Sequence, residues 1–141
     1  MARIQTGRIL AVDFGEKRIG LATSDASGRL ATPRVTFHRK SDEAVLSELA
    51  RFAAQEEIAL AVFGIPRSPE GVESPLAGRI RSFAAKFERK TGLPVRFHEE
   101  TLTSNEAARR LPPGAPKEEI DREAAAVLLE DYLSSAPRGS R

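Results

Sequence analysis

The chain has 141 residues, with 22 Lys and Arg against 20 Asp and Glu, and a formal net charge of +2. That length suits a single domain over residues 1–141 that buries roughly two-thirds of its unfolded surface. With no cysteine, disulfides, thiol nucleophiles and thiolate metal sites are excluded. The opening residues lack the apolar core of a signal peptide, and the longest near-apolar run, Ile58 to Ile65, is far shorter than the ~20 residues of a membrane span, so a cytoplasmic protein with no membrane partner is expected. Charge is unevenly spread: residues 1–40 hold eight bases and three acids. A basic third beside scattered acids suits a nucleic-acid enzyme, and equally an ordinary solvated surface.

Residues 1–7 and 134–141 read as flexible ends. Ile9-Leu-Ala-Val12 is apolar without alternation, the mark of a strand covered on both faces. Gly15 to Arg18 is short enough for a hairpin turn, and Ile19 to Thr23 returns as a second strand. A third strand is expected over Leu30–Phe37, at a sheet edge because Pro33 lies within it. Ser41 caps a helix whose first turn carries Asp42 and Glu43, with Val45, Leu46, Leu49, Phe52 and Ala53 on one face. Leu60–Phe63 forms a fourth strand, leading into a loop that ends at Glu73. Ser74 and Pro75 open a second helix with Leu76, Ile80, Phe83, Ala84 and Phe87 inward, stopped at Gly92. Val95–Phe97 is a fifth strand, followed by His98, Glu99 and Glu100. Thr103-Ser-Asn-Glu106 has the form of a capping box for a third helix. After the break at Pro112-Pro-Gly-Ala-Pro116, a last helix runs from about Lys117 to Leu133 with Ile120, Ala124, Val127 and Leu128 inward. The fold class is α/β: a five-stranded mixed sheet, with a three-strand antiparallel meander and two parallel strands, flanked by helices.

Three acids stand where such a sheet would gather them. Asp13 closes the first strand, Glu100 follows the fifth, and Asp121 lies early in the last helix; the carboxyl ends of strands reached by crossovers share one edge with the first strand. Two negative charges ~5 Å apart repel by about 3 kcal/mol at an effective dielectric of 20, so a trio calls for a cation. Oxygen donors without a His/Cys cluster favour Mg²⁺ or Mn²⁺, and one or two such ions are suited to phosphodiester hydrolysis. Lys17 and Arg18, in the turn behind Asp13, are candidates for binding nucleic-acid phosphates. Each residue also has a plainer reading: Asp13 as a turn former, Glu100 as a helix-dipole acid, Asp121 on a solvated helix face, and Lys17 and Arg18 as a charged turn facing water. His38 and His98 read as structural. Only the combination is specific.

The combination Asp13-Phe-Gly15-Glu-Lys-Arg-Ile-Gly20-Leu-Ala, Phe63-Gly-Ile-Pro66 with Glu70-Gly-Val-Glu-Ser74, Glu99-Glu-Thr-Leu-Thr-Ser104 and Ile120-Asp-Arg-Glu-Ala-Ala125 resembles the YqgF family, in order and across about residues 8–133. The resemblance implies a ribonuclease H-like fold, which the element order also fits, and kinship with the RuvC Holliday-junction resolvases. It implies metal-binding, catalytic acids at Asp13, Glu100 and Asp121. The implied activity is a nuclease trimming the 5′ end of pre-16S ribosomal RNA in ribosome biogenesis, with RNA or a ribosomal precursor particle as partner. The alternatives are a resolvase acting on branched DNA and a nucleic-acid-binding module without turnover. The chain works as a monomer or a homodimer, and since a resolvase normally needs two symmetric sites, a monomer would argue for the RNA role. Two features depart from the family pattern. Its third block usually reads Asp-Glu-Arg-Leu-Thr-Thr, and Glu99 and Thr101 here replace the Asp and the Arg, removing a planar phosphate ligand. The stretch before the last acid, often basic in the family, is here Pro112 to Glu119.

Overall fold

The computed structural model describes residues 7–67, 72–100 and 103–135, excluding the side chains of residues 100, 103 and 104. Five strands form one sheet: β1 (Arg8–Phe14), β2 (Arg18–Ser24), β3 (Ala31–His38), β4 (Ile58–Pro66) and β5 (Val95–Glu100), in the order β3-β2-β1-β4-β5. β1 is central, antiparallel to β2 and parallel to β4; β2 and β3 are antiparallel, and β4 and β5 parallel. The unbroken apolar run of β1 follows from that position, since Ile9 through Val12 are all buried. β3 is an edge strand, as Pro33 requires. Pro33 pairs with Ala22 at a register shift, where the missing N–H interrupts no regular ladder.

The described residues form four helices, α1 (Asp42–Gln55), α2 (Pro75–Thr91), α3 (Thr103–Arg110) and α4 (Lys117–Ser135), with α1, α2 and α4 against the sheet and α3 outside α4. Alternation along the strands divides the core in two. Leu10, Val12, Phe14, Ile19, Leu21 and Phe63 face α1 and α2, meeting Val45, Leu49, Ile80, Phe83 and Phe87. Ile9, Ala11, Ala22, Leu60 and Val62 face α4, meeting Ala125, Ala126, Leu128 and Leu129. The first layer is bulky and aromatic, with Phe63 packed against Phe83, Phe87 and Phe97. The second has no aromatic residue in its buried core and includes Ala11, Ala22, Ala125 and Ala126, which let α4 lie close to the strands.

The expected caps are present on two helices. The Ser41 hydroxyl accepts from the Ala44 N–H at 3.1 Å, and Ser74 accepts from Ala77 at 3.2 Å ahead of Pro75. Gly92 closes α2 with φ +75°. The capping side chains expected at Thr103 and Ser104, the ends at 1–6 and 136–141, and residues 68–71 of the loop lie outside the described residues.

Three expectations need correction. β4 extends to Pro66 and β5 to Glu100, so Gly64, Ile65, Glu99 and Glu100 are strand rather than loop; parallel pairing of Ile65 with Glu99 and Pro66 with Glu100 outweighs the weak strand propensity of those residues. α4 continues to Ser135. Its buried set is Ala124, Ala125, Ala126, Leu128 and Leu129, with Ile120 and Val127 only half-buried. A single inward stripe was expected, but α4 is covered twice, by the sheet and by α3. α3 buries Ala107 and ties Arg110 to Glu123 and Glu130 of α4.

Candidate active site

β1, β4 and β5 are parallel, so their carboxyl ends lie along one edge of the sheet. Val12 pairs with Phe63, which places Asp13 alongside Gly64, and Gly64 in turn pairs with His98. Ile9 and Ala11 face α4, so the half-buried Asp13 projects from that same face. Its partner across the antiparallel ladder is Gly20.

Gly20 brings the helix in. A Cβ there would lie 2.1 Å from the Asp121 carbonyl oxygen, 2.4 Å from its carbonyl carbon and 3.0 Å from the Arg122 nitrogen. The backbone of α4 therefore rests on the strand position paired with Asp13. Adding the cross-strand separation puts the Asp13 Cα and the Asp121 backbone within roughly 9 Å. Two acids 108 positions apart in the sequence are thus neighbours.

Arg18 completes this corner. Its Nε donates to Asp121 Oδ2, and both side chains are about a quarter exposed. Donating this hydrogen bond to Asp121 raises the Arg18 guanidinium above its ordinary value, against the opposing effect of burial. Arg18, expected to bind external phosphate, is engaged first with an acid of its own chain. Lys17 is exposed on the turn. Glu100 ends β5, paired with Pro66 two positions beyond the level of Asp13; its side chain, like Thr101, lies outside the described residues. The structure therefore joins Arg18 to Asp121, sets the Asp121 backbone against the strand partner of Asp13, and places the backbone of Glu100 on the same edge.

The histidines are tied elsewhere. His98 Nε2 lies 2.6 Å from Asp131 Oδ2 and edge-on to Tyr132, joining β5 to the end of α4. His38 lies 3.4 Å from Glu118. Among the described residues no three His, Asp or Glu converge into a metal cage. The donor set at the Asp13–Asp121 corner nevertheless fits a hard divalent cation. Both groups are carboxylates, Arg18 engages Asp121 through Oδ2, and Gly20 lets the backbone carrying Asp121 lie against the strand partner of Asp13.

One residue beneath the β1–β2 turn was not singled out from the sequence. Arg39, just past β3, is only 11% exposed. Its Nη1 donates to the carbonyls of Gly15 at 3.0 Å and Glu16 at 2.7 Å, and its Nη2 to Asp42 at 2.8 Å. Its guanidinium lies 4.5 Å from the centre of the Phe14 ring, and its own N–H donates to the Lys17 carbonyl. No local pattern marks it, because apart from Asp42 its partners lie in and beside a turn more than twenty residues upstream.

The solved structures that share this architecture define the class. T. thermophilus RuvC in complex with a Holliday junction substrate superposes with a TM-score of 0.61 at 11% identity, covering 92% of this chain and 94% of that one. The Fowlpox virus resolvase in complex with Holliday junction DNA gives 0.56 at 14% identity, covering 91% and 97%. The fold is ribonuclease H-like.

Residues 7–135 match the family described as RuvX, Holliday junction resolvase, and the chain belongs to that family. It is a nucleic-acid-hydrolysing enzyme. Two relatives carry the name "Putative pre-16S rRNA nuclease". The protein from Anaeromyxobacter sp. (strain K) is 39% identical over 131 residues, covering 89% of this chain and 96% of that protein. The protein from Chloroflexus aggregans is 35% identical over 132 residues, covering 90% and 93%. Among the described residues no helix is long and apolar enough to cross a membrane.

Proposed function

We propose that this chain hydrolyses phosphodiester bonds in a reaction dependent on Mg²⁺ or Mn²⁺, and that its substrate is the 5′ end of pre-16S ribosomal RNA. The observation that carries the reading is the contact of α4 with Gly20, which sets Asp121 beside the strand position paired with Asp13. Asp13 and Asp121, with Glu100 as the third donor, would hold the ion. When bound, the ion supplies an acidified water and offsets negative charge on the phosphate and the leaving oxygen.

The remaining work falls to the chain itself. Arg18 fixes the orientation of Asp121 through its Nε, and we assign its terminal nitrogens, with the Lys17 ammonium, to the phosphates flanking the scissile bond. RNA is preferred to branched DNA because the relatives of comparable length are named for pre-16S rRNA.

The test is cleavage of two labelled substrates, a precursor rRNA 5′ segment and a four-way DNA junction, with Mn²⁺, Mg²⁺ or EDTA. Metal-dependent cutting of the RNA, lost in Asp13→Asn with folding intact, is the expected result. Cutting of the junction alone would overturn the substrate. Undiminished cutting by Asp13→Asn would overturn the site.

A further inference from the structure

The turn between β1 and β2 is held from below by Arg39, and this has a consequence on its other side. Both the Gly15 and the Glu16 carbonyl oxygens converge on a single nitrogen, Arg39 Nη1, at 3.0 and 2.7 Å. In a trans peptide the C=O and the following N–H point in opposite directions. Turning those two carbonyls down onto Arg39 therefore turns the N–H groups of Glu16 and Lys17 up, away from the protein. Neither amide donates to another backbone group among the described residues, whereas the flanking Gly15 N–H is occupied by the Arg18 carbonyl at 2.9 Å. Glu16 and Lys17 are both exposed.

We infer that Glu16 N–H, Lys17 N–H and the Lys17 ammonium form a cradle for one phosphate of the nucleic-acid backbone, with Arg39 as its positioning residue. Successive outward amides bind anions in this way at other turns, and a buried guanidinium beneath them adds attraction from below. The carboxylate of Glu16, which would repel a phosphate, is drawn aside by Arg79 of α2 at 3.3 Å. The Arg39 side chain is fixed by Asp42 and by the Phe14 ring, and its Nε is buried with no partner among the described residues. Arg39 therefore touches the two carbonyls and not the ligand, and acts only through the orientation of the peptides. The cradle rests on the nuclease reading for its ligand, and lies one turn beyond Asp13.

The experiment follows the backbone amides of the full chain in ¹H–¹⁵N spectra during titration with dodecauridylate RNA in EDTA, where no cleavage occurs. The Glu16 and Lys17 amides should shift on binding. In Arg39→Gln those two shifts should vanish and affinity should fall about tenfold, equivalent to the loss of one charge-assisted hydrogen bond. Arg39→Lys keeps the charge but cannot hold the planar fork, and should fall between the two. With Mn²⁺ the defect should appear in KM and leave kcat nearly unchanged, which a merely structural role would not produce. RNA binding by the wild type with silent Glu16 and Lys17 amides would overturn the cradle, and needs no variant to fold. Undiminished affinity of folded Arg39→Gln would overturn the role of Arg39. If the amides respond but Mn²⁺ supports no cleavage, the cradle stands and the nuclease reading falls.

Discussion

Gly20 and Asp121 meet backbone to backbone: no side chain of any size fits between β2 and α4 at this point, because even a methyl carbon would lie 2.1 Å from the Asp121 carbonyl oxygen. The obstructing atoms belong to a helix and cannot swing aside as a flexible side chain could. Gly20→Ala should therefore lift the first turns of α4, destabilising the fold by roughly 1–3 kcal/mol as overpacked cores do. With Asp121 in its proposed metal-holding role, the variant below its melting transition should still cleave about 100-fold more slowly, since displacing such a group by about 1 Å has that effect. Urea unfolding together with cleavage at low temperature separates the two losses.

Phe63→Ala provides the contrast. Phe63 is fully buried against Phe83, Phe87 and Phe97 on the face opposite α4. Its removal should cost about 3–5 kcal/mol of stability. The Asp13–Asp121 corner lies across the sheet, so cleavage by the protein that remains folded should change little. Urea unfolding gives the first quantity, and cleavage per folded molecule the second.

Arg18→Gln removes the cation that holds Asp121. Both side chains are partly open to solvent, so the stability loss should be modest, about 1 kcal/mol. The local effect should be larger: amide exchange in the first turn of α4 should accelerate while that of β1 does not. Equal protection of both elements in the variant would show that Arg18 does not anchor the helix.

Asp25 sets an acid limit. It accepts from the Ser27 hydroxyl at 2.7 Å and from the Arg29 and Leu30 N–H groups at 2.8 and 3.2 Å, and these bonds, that from Ser27 foremost, lower its pKa to about 2. A carboxylate whose pKa is depressed on folding contributes stability that is complete above its unfolded value, near 4, and is lost as pH falls through its folded value. Asp25→Ala should thus be less stable than the wild type at neutral pH, with the gap closing between about pH 4 and pH 2. Urea midpoints across that range test the sign.

The fold was legible where local chemistry and tertiary context agree. β1, the hairpin after it, the Ser41 and Ser74 caps and the edge position of Pro33 all follow from residues within a few positions of one another. The ends of β4 and β5 were not legible, because Ile65 and Glu99 become strand only by pairing with each other across the α2 crossover. The double coverage of α4 was hidden likewise, since the sequence shows an apolar helix but not that α3 will lie on its outer side. Asp13 and Asp121 could be nominated as neighbours from the element order. That Gly20 makes the approach, and that Arg18 holds Asp121, depends on how α4 docks and is written in no local pattern. Arg39 was the hardest to read, since an arginine between a strand and a helix cap is ordinary until the carbonyls it faces are known.

The sheet and the chemical corner are completed at different times. All five strands lie before residue 101, yet Asp121 arrives on the final described helix and docks against a strand made a hundred residues earlier. A chain growing from its amino terminus therefore has every described strand in place before it reaches the helix that closes the proposed site. A product cut short before α4 would lack Asp121 and leave Ile9, Ala11, Ala22, Leu60 and Val62 of the sheet without the helix that covers them.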